Sequence, residues 1–281
     1  MRNVLKTAML LTFLILVVIF CGYALGGRRG MRGAFFFASL MSFGIYGFSD
    51  RSVLAMHRAQ PLSESEAPEV FEIVRELSEI AGIPAPRLYM LPSASANCFS
   101  TGRSPKHAAI AVTHGIVGLL NREELAGVFG HELSHILDHD SLLSSIVAVL
   151  AGALSAFASI FRGSFAWGGE RDDRDRDNPL LLLLFVCIMP LVGILIQLMM
   201  ARSREYRADK RAARLCGNPL YLASALRKIA AASAKFPLRD ATPATAHLFI
   251  MNPLSGKGWT AFFNTHPSVE ARADRLEGTV P

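Results

Sequence analysis

Residues 127–140 read GVFGHELSHILDHD, and the five residues from His131 to His135 decide how the rest is read. Histidines four apart lie on one face of a helix, so both imidazoles reach a single ion. Glu132, next to the first of them, is placed to take a proton from water activated at that ion. The preceding residues predict the helix that this spacing needs. Asn121 with Glu124 three residues on has the form of a capping box, and the helix is expected from about residue 122 through 139.

Two histidines do not complete a catalytic metal site. Residues 204–209, REYRAD, lie on another predicted helix, with Glu205 and Asp209 again four apart. Glu205 completes a His-His-Glu set, and Asp209 is placed to accept the outer N–H of a ligating histidine. A structural zinc would instead draw its four ligands from Cys and His. The four cysteines (Cys21, Cys98, Cys187, Cys216) show no paired spacing and read as small buried hydrophobes, not as a disulfide framework. An HExxH sequence alone also arises by chance in unrelated helices; the capped helix and Glu205 are what set this one apart. His139 extends the histidine row and is read as facing the headgroup boundary, while His57, His107, His114 and His247 are given no role.

Around these helices the chain is apolar in four runs: residues 7–25, 33–48, 142–161 and 179–200. The 281 residues are 51% hydrophobic and 19% charged, below the quarter or so of charge typical of soluble domains, and the excess sits in those runs. About 20 apolar residues cross a bilayer, so four spans are predicted, the second the shortest. Two of them separate His135 from Glu205, which returns both halves of the site to one side. The net charge of +6 is scattered with no basic stripe, which excludes a nucleic-acid binder and suits headgroup attraction. No GxxxxGK[ST] loop is present, so no nucleotide is expected.

The polar part is expected to be mainly helical with a small sheet. Pro68 opens a helix over 68–81 whose apolar positions are Val70, Ile73, Val74, Leu77 and Ile80, and Gly82 stops it. Strands are predicted at 87–91, 96–101 and 108–113, and a short helix after Pro267. The expected organisation is an N-terminal pair of spans (1–49), a first catalytic part (50–140), a transmembrane hairpin (141–201) with a polar loop at 162–178, and a second catalytic part (202–281).

Four stretches together resemble the HtpX group of membrane zinc metalloproteases, relatives of the CAAX prenyl proteases: NCFSTG (97–102), GHELSH (130–135), SREYRAD (203–209) and THPSVEAR (265–272). The resemblance implies a zincin-like cytoplasmic domain on a four-span membrane protein of a bacterial-type inner membrane. One Zn2+ would be held by His131, His135 and Glu205, with Glu132 as general base. It further implies that Asn97 holds a substrate carbonyl, that His266 stabilises the oxyanion and that Arg272 organises the cleft. A turn Asn, a helix-cap His and a surface Arg are the ordinary alternatives for these three. The chain departs from the pattern with Cys98 and Ser100 where relatives tend to have Ala, and with Arg28, Arg29 and Arg32 in a hairpin expected outside the cytoplasm.

The implied substrates are unfolded or membrane proteins and the implied role is membrane protein quality control. A metal-keeping sensor or scaffold without turnover, and a narrow processing enzyme for prenylated tails, are the competing readings. The intact Glu132 speaks against the first and the small number of spans against the second.

Overall fold

The computed structural model describes residues 2–166, 202–236, 238, 242, 244–253 and 267–279. The apolar run at 179–200, residues 167–178 of the expected polar loop, and His266 lie outside the described residues.

Helix α1 (Arg2–Met56) takes in the first two apolar runs and continues past residue 49. It is two helical arms joined at Gly26 and Gly27, where Gly27 has φ of 55° and ψ of −143°, a conformation that only glycine adopts without strain. Gly22 and Ala34 would stand about 18 Å apart in a straight helix. Here they pack against each other, so the chain folds back on itself. Asn3–Ala24 is long and apolar enough to cross a bilayer and is little buried by the protein, whereas the second arm does not meet that test.

After a two-residue strand β1 (Gln60–Pro61), helix α2 (Pro68–Ala81) starts on its proline and stops at Gly82, whose φ of 69° closes the last turn. Val70, Ile73, Val74 and Leu77 face the core as expected. Ile80 does not: it is 65% exposed, because the last turn of α2 has passed beyond the surface that buries the other four.

The sheet holds β1, β2 (Arg87–Leu91), β3 (Cys98–Gly102) and β4 (Ala108–Thr113) in the order β1-β2-β4-β3. Only the β2–β4 pair is parallel. β3 begins two residues later than expected, since Asn97 and Thr113 already close the ladder through a side-chain bond, Asn97 N–H to Thr113 Oγ1 at 2.9 Å. Its place at the sheet's end matters for the site.

One face of the sheet and α2 pack on a short helix α3 (His114–Leu119) and on α4 (Arg122–Leu137), whose capping box at Asn121 and Glu124 forms in full. α4 ends two residues before the expected limit. His139 adopts a φ of 56°, and the chain turns through 83° into α5 (Asp140–Ala166). His139 therefore makes a corner and is not a continuation of the histidine row. α5 runs on into the stretch expected as loop, and its buried Leu142, Leu143, Ile146 and Val147 pack on Leu10 of α1.

Helix α6 (Arg202–Cys216), stopped at Gly217, and α7 (Pro219–Lys235) lie across α4. The approach is backbone-close. A Cβ on Gly127 would come within 2.6 Å of Leu222 N, and one on Gly130 within 3.2 Å of Ala212 Cα. Gly130 directly precedes His131, so the absence of a side chain there lets α6 bring its acidic residues to the histidines. Helix α8 (Val269–Glu277), capped by Ser268, packs on α6 and α7.

Candidate metal centre

His131 and His135 project from the buried face of α4 with their Nε2 atoms 3.1 Å apart. Glu205, in the first turn of α6, completes the group, its carboxylate 3.6 Å from His131 Nε2 and 3.7 Å from His135 Nε2. Donor atoms of these three residues all lie within 4.8 Å of one another, the predicted ligand set brought together from α4 and α6.

Each histidine is held from behind. Asp209 Oδ1 accepts from His131 Nδ1 at 2.9 Å, as the sequence predicts. Asp140 Oδ2 accepts from His135 Nδ1 at 3.0 Å. With both Nδ1 atoms donating, both Nε2 atoms turn inward.

The carboxylates are clamped in turn. Arg272, 1% exposed, donates Nε to Asp209 Oδ2 at 2.9 Å and a terminal N–H to Oδ1 at 2.6 Å, and another to Ile250 O at 3.2 Å. Arg204 Nε lies 3.1 Å from Asp140 Oδ1, and Asn3 on the first helix also donates to that carboxylate. Arg272 is thus an interior residue and not a surface one.

Asp209 and Asp140 lie against Arg272 and Arg204. Glu205 faces the two Nε2 atoms, with Arg272 Nη1 3.9 Å from its carboxylate, and Glu132 lines the same cavity. Burial pushes the His135 imidazole down, yet Asp140 and Glu205 outweigh it and raise its pKa to about 9. Burial and Arg272 hold His131 below its usual value, against Asp209. Burial works to raise Asp209 and Asp140, but Arg272 beside the first and His135 beside the second keep both below the ordinary carboxylate range. Two imidazole nitrogens and a carboxylate converging on one point are donors that fit a divalent ion such as zinc.

The small cavity at this point, about 20 Å³, has room for roughly one water. Glu132 lines it beside the ligands, and Cys98 Sγ lies 3.6 Å from Glu132 Oε1, with burial and that carboxylate pushing the thiol well up. The roof is the chain's own residues 246–252. Ile250 N–H donates to Cys98 O at 3.0 Å along the outer edge of β3. Asn97 bonds both ways with Met251, Nδ2 to O at 2.8 Å and Oδ1 from N at 3.3 Å. The carboxamide expected to meet substrate is engaged by this segment. Leu248, Phe249 and Ile250 line the cavity, and Phe249 stacks edge-on with Phe99 and His57.

Asp140, Arg204 and Asn3 carry no motif that marks them in the sequence. An aspartate five residues after the second histidine, at the head of an apolar run, is the signal that was available for the first.

A helix-borne pair of histidines, a glutamate from a second helix and a carboxylate behind each imidazole define a metal-dependent peptidase with its site beside apolar helices. Residues 64–280 match peptidase family M48, and the chain belongs to that family. It is 47% identical over 274 residues to a protease HtpX homolog of Syntrophobacter fumaroxidans, covering 96% of this chain and 97% of that one. It is 46% identical over 271 residues to a protease HtpX homolog of Pyrococcus furiosus, covering 96% and 94%. The crystal structure of Ste24p from S. mikatae superposes with a TM-score of 0.53 at 16% identity, over 99% of this chain and 67% of that one, a likeness of fold. The chain is a membrane-bound metalloprotease of the HtpX kind.

Proposed function

We propose that the chain is a zinc endopeptidase cutting unfolded or membrane proteins at the cytoplasmic face of a bacterial-type inner membrane, in protein quality control. The single observation that supports it best is the convergence of the His131 and His135 Nε2 atoms and the Glu205 carboxylate beside the carboxylate of Glu132. These three ligands would hold one Zn2+, which supplies Lewis acidity to the attacking water and the scissile carbonyl.

The chain's own residues do the rest. Glu132 takes the proton of the attacking water and passes it to the leaving amine. Asp209 and Asp140 keep both imidazoles in the tautomer that presents Nε2 inward. A peptide substrate pairs with the outer edge of β3 in place of residues 250–251, which frees the Asn97 carboxamide to hold a substrate carbonyl. His266 supplies the oxyanion contact, and Arg272 sets the cleft through Asp209 and Ile250.

The membrane layout proposed is four spans, with 1–49 and 141–201 as two hairpins and 50–140 and 202–281 as the catalytic halves. The basic residues that follow the fourth apolar run, Arg202, Arg204, Arg207, Lys210 and Arg211, favour a cytoplasmic position for the second half.

The test is Glu132→Gln in detergent-purified protein supplied with an unfolded casein. Zinc content should stay at one per chain while cleavage is lost, and cleavage in the parent should stop with a chelator. Full activity of the variant would refute the assignment of Glu132.

A further inference from the structure

Adjoining the metal centre, with Asp209 and Arg272 in its wall, lies a second and larger cleft of about 660 Å³ between α6 and α8. Its walls carry Arg207, Lys210 and Arg214 from α6 and Arg275 from α8. No function assigned above uses it.

Its charge is unbalanced. Among the described residues, no carboxylate forms a salt bridge with Arg207, Lys210, Arg214 or Arg275. Arg207 and Arg214 turn only to carbonyls of their own helix, at 3.3 and 3.4 Å. Arg275 stands over the Tyr206 ring, 4.7 Å from its centroid. Among the described residues the one acid on the wall is Asp209, already engaged by Arg272 and His131. What sets these four apart is that they gather around one concavity without a carboxylate partner among the described residues, and such a cluster marks a place for an anion.

The position narrows the anion. The cleft begins at Ser203, three residues in sequence after the apolar run that ends at Met200. Basic residues directly after a span are a recurrent way to hold acidic lipids. The tyrosine and the aliphatic floor of Ala213, Pro219 and Leu276 suit the glycerol end of such a lipid.

We propose that this cleft binds a phosphate-bearing anion, with an acidic phospholipid headgroup and free phosphate as the two sources of that one chemistry. The lipid source rests on residues 179–200 being a span; the anion site does not.

The experiment follows the thermal unfolding of the full chain in non-ionic detergent. Dioctanoyl phosphatidylglycerol, dioctanoyl phosphatidylcholine and sodium phosphate are added in turn at constant ionic strength. A saturable rise in Tm is expected with phosphatidylglycerol and not with phosphatidylcholine. A rise with phosphatidylglycerol alone identifies the headgroup as the source, and a rise with inorganic phosphate alone identifies the free ion. The double variant Arg207→Gln, Arg275→Gln should weaken the response roughly thirtyfold, from two lost cation contacts. Lys106→Gln, Lys235→Gln, which removes equal charge from other exposed sites, should not. If the double variant fails to fold, Arg214→Gln alone carries the comparison with a roughly fivefold loss.

No shift with either anion, an equal shift with phosphatidylcholine, or a cleft variant that responds like the parent overturns the proposal. Zinc content and casein cleavage on the same preparations, without added lipid, report separately on the proposed function.

Discussion

Arg272 grips Asp209 with two guanidinium N–H groups, at 2.9 and 2.6 Å, and Asp209 in turn orients His131. The pair is almost wholly enclosed, with side chains 1% and 4% exposed, so neither charge has water to fall back on. Breaking a buried pair from one side typically costs about 3–5 kcal/mol, because the remaining charge is stranded. Arg272→Met should therefore lower Tm sharply and release zinc on dilution. Arg272→Lys, which keeps the charge but not the fork, should fall between the two. Thermal unfolding and metal analysis of the three proteins check the order.

Asp140 does for His135 what Asp209 does for His131. Asp140→Ala should lower metal affinity about 10–100-fold while leaving the ligands intact. Competition with a chromophoric chelator measures it, and an unchanged affinity would remove Asp140 from the centre.

Glu124 supplies a pH dependence away from the metal. Burial works to raise its carboxyl, but Lys228, Ser224 and the Asn121 N–H outweigh that and hold it below the usual value. A carboxylate with a depressed folded pKa stabilises above its unfolded pKa, and the contribution is lost as pH falls through the folded one. Glu124→Gln should cost about 1–2 kcal/mol near neutral pH. The gap to the parent should close below pH 4.5, the ordinary value for the group.

The edge of β3 makes a separate prediction. A peptide that pairs there has to replace the bond from Ile250 N–H to Cys98 O. Hydrogen exchange should find the Ile250 amide protected in the free enzyme and exposed when a non-cleavable peptide inhibitor is bound. Protection that stays unchanged would mean that substrate approaches elsewhere.

Local signals were legible in the sequence where a single element carries them. The capping box, the histidine spacing, the stop at Gly82 and the acidic pair on α6 depend on neighbours within a turn or two, and all stand where their spacing put them. The centre's outer contacts depend on distant pieces of chain. Asn3 reaches Asp140 across 137 positions, and Arg272 reaches His131 across 141. No periodicity announces such meetings, and Arg272 was marked only through family resemblance. Residues 246–252 have no repeating pattern at all, so their cover over β3 came from the structure alone.

The contact from Asn3 also bears on how this enzyme can be handled. Its amide nitrogen donates both to the Asp140 carboxylate and, at 2.9 Å, to the Asp138 carbonyl at the foot of the HExxH helix. The leading hydrophobic helix is thereby tied directly to the residues around the proposed metal centre. Trimming it off to obtain a water-soluble fragment, or trading it for a foreign anchor, would loosen His135 even if the rest folded.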